Sequence, residues 1–185
     1  MLRILTALVL AIGFATISLP AAAASADAQN TLYLDTDKGR VTIKLRPDLA
    51  PKHVEQIKAL TKKGFYDGIV FHRVIDGFMA QTGDPTGTGT GGSDLPDLPA
   101  EFTNKAKFVR GTVGMARSSD PNSANSQFFI MFAPAPSLNG QYTIFGEVID
   151  GMDVVDKIKK GSADDNGTVS NPDKIKTMRL ATDAK

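Results

Sequence analysis

Arg73 is a cation in a run that otherwise holds few polar groups. Phe71 to Gly83 reads FHRVIDGFMAQTG, with Val74, Ile75, Phe78 and Met79 around the arginine and Gln81 eight residues on. Long charged side chains are almost never fully buried without a partner. An arginine in such company either snorkels, its stem on an apolar sheet and its head in water, or faces a cleft that receives an acceptor. An apolar set with few polar members could accompany it: Phe71, Phe78, Met79, Gln81, Met115, Phe128, Phe129 and Leu138. Strand alternation divides that set. With Phe129 and Met131 on one face of a sheet, Phe128 and Ile130 fall on the other, so one phenylalanine serves a core while its neighbour lines an outer groove. That all of them are core is the competing reading, against which Arg73 and Gln81 argue.

Other chemistries fit less well. Gly87, Gly89 and Gly92 satisfy the dinucleotide-binding spacing G-x-G-x-x-G, but Leu95, Pro96, Leu98 and Pro99 forbid the helix that should open there. No Lys follows the glycines as a phosphate-binding P-loop requires. The only histidines, His53 and His72, lie nineteen positions apart on different elements, too few for a metal site. No metal and no cofactor is expected. His72, adjacent to Arg73 in a strand, takes the opposite orientation and reads as a hydrogen-bonded residue of the interior. No G-x-S-x-G occurs, Asp164 and Asp165 read as solvated, and Asn166-Gly167-Thr168 matches a glycosylation sequon, a signal of low specificity.

The elements that must position these residues follow from periodicity. Thr31–Thr36 and Arg40–Arg46 alternate apolar and polar residues around Asp37, Lys38 and Gly39, a β-hairpin. Val54, Ile57 and Leu60 recur at three-residue intervals between Ala50 and Lys63, with Pro51 in the first turn and Gly64 past the end, which predicts an amphipathic helix. Strands are expected over Ile69–Ile75, Phe78–Thr82, Phe108–Ala116, Gln127–Phe132, Tyr142–Ile149 and Ile175–Leu180, and a second helix at Met152, Val155 and Ile158. The segments from Gly83 to Phe102 and from Gly161 to Asp173 read as loops, the first on a rim bordering a ligand groove. Eight strands without regular strand–helix alternation predict a mainly β fold, a closed eight-stranded antiparallel barrel capped by two α-helices.

Composition bounds the partners. With 185 residues, 21 Lys+Arg against 20 Asp+Glu and a net charge of +1, no field implies nucleic acid or an anionic membrane. Residues 1–26 read as a signal peptide: Arg3, an apolar run from Ile4 to Leu19, then Pro20 and small residues suited to cleavage at Ala24-Ser25-Ala26. The mature chain, residues 27–185, is then a single near-neutral domain with no membrane segment. An exported chain without cysteine fits the bacterial periplasm.

The runs FHRVIDGFMAQTGDPTGTGTGG, VGMAR, NSQFFIMF and TIFGEVIDGMDVVDKI, in this order and spacing from about Thr31 onward, closely resemble the cyclophilin family of peptidyl-prolyl cis-trans isomerases, nearest in look to its secreted bacterial branch. The resemblance implies an eight-stranded barrel with two helices and isomerisation of X-Pro bonds in exported proteins to assist their folding, and the chain is expected to be a monomer. It puts the catalytic arginine at Arg73 and substrate-binding positions at Phe78, Met79, Gln81, Ala116, Phe129 and Leu138. His72 falls at the groove margin and Tyr142 at a pocket position where the family has histidine. The family's frequent tryptophan is Ser137 here, which weakens the expectation that cyclosporin binds, and Arg117 replaces a common asparagine. Proline-containing polypeptides and unfolded exported proteins are the implied partners. The rival readings are a periplasmic chaperone or adaptor that holds proline-containing segments with little catalysis, and a lipocalin-like carrier, which would leave Arg73 and Gln81 unexplained.

Overall fold

A computed structural model describes residues 27–184. The expected signal peptide therefore lies outside the described residues. In chain order the elements are β1 (Thr31–Thr36), β2 (Gly39–Leu45), α1 (Pro51–Lys62), β3 (Arg73–Ile75), β4 (Met79–Thr82), β5 (Thr112–Met115), β6 (Phe128–Met131), β7 (Ile144–Asp150), α2 (Met152–Asp156) and β8 (Ile175–Leu180). Their ladders are antiparallel and run in the order β3-β4-β6-β5-β7-β2-β1-β8.

Side-chain alternation decides which face each strand turns inward. In the β1–β2 hairpin, Leu32 and Leu34 on one strand and Val41, Ile43 and Leu45 on the other are buried. They join Val113, Phe128, Ile130 and Met178 in the principal core, which α1 closes with Val54, Ile57 and Leu60. Helix α1 starts at Pro51 with no side-chain cap of its own. Glu101, from the distant rim loop, accepts from the backbone N–H of Lys52 and of His53 and fills that role. Helix α2 packs on β2 and is shorter than the periodicity suggests, its entry turned by Gly151 at φ +85°.

The expected closed barrel is corrected to an open, curled half-barrel, because β3 and β8 share no ladder. Strand β3 is only three residues long, and its outer edge is taken by the loop at 161–169 instead. Val74 N–H donates to Gly167 O at 2.8 Å, Gly161 N–H donates to Val74 O at 2.8 Å, and Val169 N–H donates to His72 O at 3.1 Å. With its edge groups satisfied there, β3 has none left for β8. Single bridges, Val70 to Lys174 and Arg73 to Thr168, seam the gap.

Candidate active site

On the outer face of β4 and β6 lies a second apolar cluster, built on Met79, Phe108, Phe129, Met131 and Ile144. The alternation expected in FFIM is observed: Phe128 and Ile130 enter the inner core, Phe129 and Met131 the outer cluster. Phe71, Met115 and Phe128, grouped with the groove by type alone, all belong to the interior. Above the outer cluster opens a cavity of ≈ 200 Å³ lined by Arg73, Phe78, Met79, Gln81, Ala116, Arg117, Phe129, Leu138 and Tyr142. It is smaller than the roughly 300–1,000 Å³ of drug-sized sites and suits a single side chain. Eight of the nine site residues read from the sequence meet in it.

The apolar wall is held by ring packing. Phe129 stacks on Phe108 with centroids 5.7 Å apart and meets Tyr142 edge-on at 5.9 Å. Leu138 sits at the end of the short turn Pro136–Leu138, and Phe108 N–H donates to Asn139 Oδ1 at 2.8 Å, which fixes that turn over the ring stack. Ser137 is not among the residues lining this cavity.

The polar wall is held by hydrogen bonds. Arg73 pairs with Gln81 across β3 and β4, and its Nη1 donates to Gln81 Oε1 at 3.3 Å. Its other edge is gripped more tightly: Nε donates to the backbone oxygen of Asn166 and Nη2 to Asn166 Oδ1, both at 2.9 Å. Asn166 can present both oxygens because it adopts the left-handed conformation, φ 48°. Gln81 Nε2 in turn donates to Gln127 Oε1 at 2.9 Å, and Gln127 Nε2 donates to Gly89 O and Gly91 O at 3.0 and 2.8 Å. Burial pushes the Arg73 pKa down and Tyr142 opposes it. An arginine remains protonated regardless.

The glycine-rich segment is thus the end of a relay, and it is wound on Asp84. That buried carboxylate accepts from Thr86 N–H at 2.7 Å, Thr86 Oγ1 at 2.8 Å, Gly89 N–H at 2.6 Å and Gly91 N–H at 3.1 Å. Burial raises its pKa, but those donors outweigh burial and hold it at about 2. A side chain at Gly91 would overlap the carboxylate. Gly89, Gly91, Gly92, Ser93 and Asp97 line a larger polar cavity of ≈ 610 Å³ that shares Gln81, Ala116 and Arg117 with the smaller one.

His72 is the ninth sequence candidate and lines neither cavity. It is buried beneath Gly89. Burial pushes its pKa down against the opposing charge of Asp84, so it is neutral at pH 7. The interior position expected from strand parity is observed. Asn166, Gln127 and Arg117 are site residues that sequence reasoning passed over. The first was read as a sequon, though its neighbour Gly167 pointed to a left-handed turn.

The family model described as cyclophilin type peptidyl-prolyl cis-trans isomerase/CLD matches residues 31–180. A probable peptidyl-prolyl cis-trans isomerase of Brucella suis is 60% identical over 174 residues, 88% of each chain. Among solved structures, a cyclophilin-type isomerase of Cryptosporidium parvum, crystallised in the presence of the dipeptide Ala-Pro, superposes with a TM-score of 0.75 at 34% identity, covering 81% of this chain and 98% of that one. A cyclophilin of Hirschia baltica gives a TM-score of 0.75 at 26% identity over 91% of this chain and 83% of its own. With the groove's arginine, glutamine and aromatic wall inside the matched span, the chain belongs to the cyclophilin-type peptidyl-prolyl cis-trans isomerase family.

Proposed function

We propose that this isomerase works on X-Pro bonds of polypeptides exported to the periplasm, as a monomer, with the proline ring in the small apolar cavity and Arg73 as the catalytic group. One observation carries the assignment of Arg73. Its Nε and Nη2 edge is locked on Asn166, while Nη1, held only by the 3.3 Å contact to Gln81, lies beside the cavity formed by Phe78, Met79, Phe129, Leu138 and Tyr142.

Rotation about an X-Pro amide loses C–N resonance, a barrier of ~18–20 kcal/mol. As resonance is lost the prolyl nitrogen regains a lone pair, and a guanidinium N–H aimed at it donates more strongly in the twisted state than in either planar one. That difference, and not tight binding as such, lowers the barrier. Uncatalysed exchange takes on the order of 10–100 s. Bringing it to about a millisecond asks for roughly five decades, about 7 kcal/mol. No bond to carbon breaks, so the reaction needs a fixed donor and a dry grip on the ring. The dipeptide named with the Cryptosporidium structure supports proline-containing peptides as the substrate class.

Export rests on the sequence of residues 1–26. Fractionation of expressing bacteria with amino-terminal sequencing of the product tests it, with a start near Asp27 in the periplasmic fraction as the expected result. Exchange spectroscopy on one X-Pro peptide tests the chemistry. Peptide affinity without exchange enhancement would favour the chaperone reading.

A further inference from the structure

Six arginines lie among the described residues, and they divide into two groups. Arg40 with Asp35, Arg46 with Asp48, Arg110 with Asp156 and Arg179 with Asp67 each form a two-point pair with a carboxylate, with distances from 2.6 to 3.0 Å. Arg73 and Arg117, the two at the groove, have only neutral acceptors. Elsewhere on this surface every described guanidinium is neutralised; in the groove two are left charged.

Arg117 is fixed in place by groups that do not cancel its charge. Nε and Nη2 donate to Gln141 O at 3.2 and 3.0 Å, and Nη1 donates to Ser118 O at 2.8 Å. The guanidinium carbon lies 4.5 Å over the ring of Tyr142, which is itself part of the apolar wall. Arg117 lines both cavities, so a peptide with its proline in the smaller one and its chain leading into the larger one passes over this cation. Asp97 is the one carboxylate among the residues lining either cavity. It accepts from Asn125 Nδ2 at 2.9 Å and forms no ion pair with Arg117.

We propose that Arg117 determines substrate class, selecting X-Pro segments that carry an acidic side chain in the residue next to the proline. The assignment rests on the isomerase reading of the groove. A carboxylate there gains a charge-assisted contact with a guanidinium already ordered for it, so little rotamer entropy is lost on binding, whereas a lysine meets the uncompensated charge of Arg117. The preference is electrostatic and weakens with salt.

The test uses six short peptides, with Glu, Gln or Lys on either side of one proline, and measures exchange rate and dissociation constant at low and high ionic strength. The expected result is a Glu-over-Lys preference of about tenfold at one flank in low salt, falling severalfold at high salt. In Arg117→Gln the ratio collapses toward one, and Arg117→Lys restores part of it. Turnover of the Gln peptides with Glu and Lys equal at both flanks overturns the proposal, as does a preference that survives in Arg117→Gln. If no peptide is isomerised the isomerase reading fails by itself, and the dissociation constants still decide the charge preference.

Discussion

The groove has two walls made in different ways. The apolar wall is a stack of rings, Phe108, Phe129 and Tyr142, within the hydrophobic cluster on the outer face of the sheet. The polar wall is a relay of directional bonds, from Asn166 through Arg73, Gln81 and Gln127 to the glycine loop wound on Asp84. Packing tolerates small displacements at a gradual cost, while a hydrogen-bonded relay loses its geometry when one member goes. On the proposed mechanism a ring must be gripped in more than one twist state and a donor must stay aimed, so each wall has the construction that this reading asks of it.

Substitutions can break this contrast, starting with the largest expected effect. Phe129→Ala removes a ring that is 5% exposed and should cost about 3–5 kcal/mol of stability, read by denaturant unfolding, along with weaker binding of a proline peptide. An unchanged unfolding midpoint would mean that the apolar wall does not rest on ring packing. Arg73→Ala should do the converse, lowering kcat/KM by one to three decades, about 1.4–4 kcal/mol, with the fold intact. A variant that isomerises at the parent rate would remove Arg73 from catalysis.

Acid titration separates the walls at intermediate size. The Asp84 carboxyl is held at about 2, below its ordinary value. A group with a depressed folded pKa stabilises the fold above its unfolded pKa and loses that contribution as pH falls toward its folded one. Asp84→Asn should therefore cost about 2 kcal/mol at pH 6, and the gap to the parent should close between about pH 4 and pH 2. A gap independent of pH would mean that the loop is not wound on a charge.

The smallest effect sharpens the contrast most. Asn166→Ala should lower kcat about fivefold, roughly 1 kcal/mol, while KM and stability hardly move. On an Arg73→Ala background the same change should do nothing more, because its effect passes through the guanidinium. Additive losses in the double variant would show that Asn166 supports the loop and not the arginine.

The two walls were not equally legible in the sequence. Alternation in FFIM is enough to send Phe128 inward and Phe129 outward, and three-residue spacing of Val54, Ile57 and Leu60 finds α1. Such patterns are local, so they survive without knowing the fold. The resemblance named Arg73 and Gln81, but not what aims them. Asn166 is 93 residues from Arg73, and Gln127 is 46 from Gln81, distances over which no periodicity operates. The glycine run read as a rim loop, and its order became visible only with the four donors on Asp84. Barrel closure is illegible in the sequence for a related reason. Counting strands does not say that a loop will take the edge of β3 before β8 can.

The 93-residue reach between Asn166 and Arg73 also sets an order of events in time. Closing so long a loop is entropically costly and is compensated only when the intervening strands have paired, so the contact belongs among the late steps of folding. The apolar cluster can condense earlier, through pairs closer in sequence such as Phe108 with Phe129 and Phe129 with Tyr142. A refolding chain should therefore bury its aromatic rings before it isomerises anything. Comparing the time course of ring burial with that of recovered activity would measure the interval in which this isomerase is packed but not yet able to act on another chain.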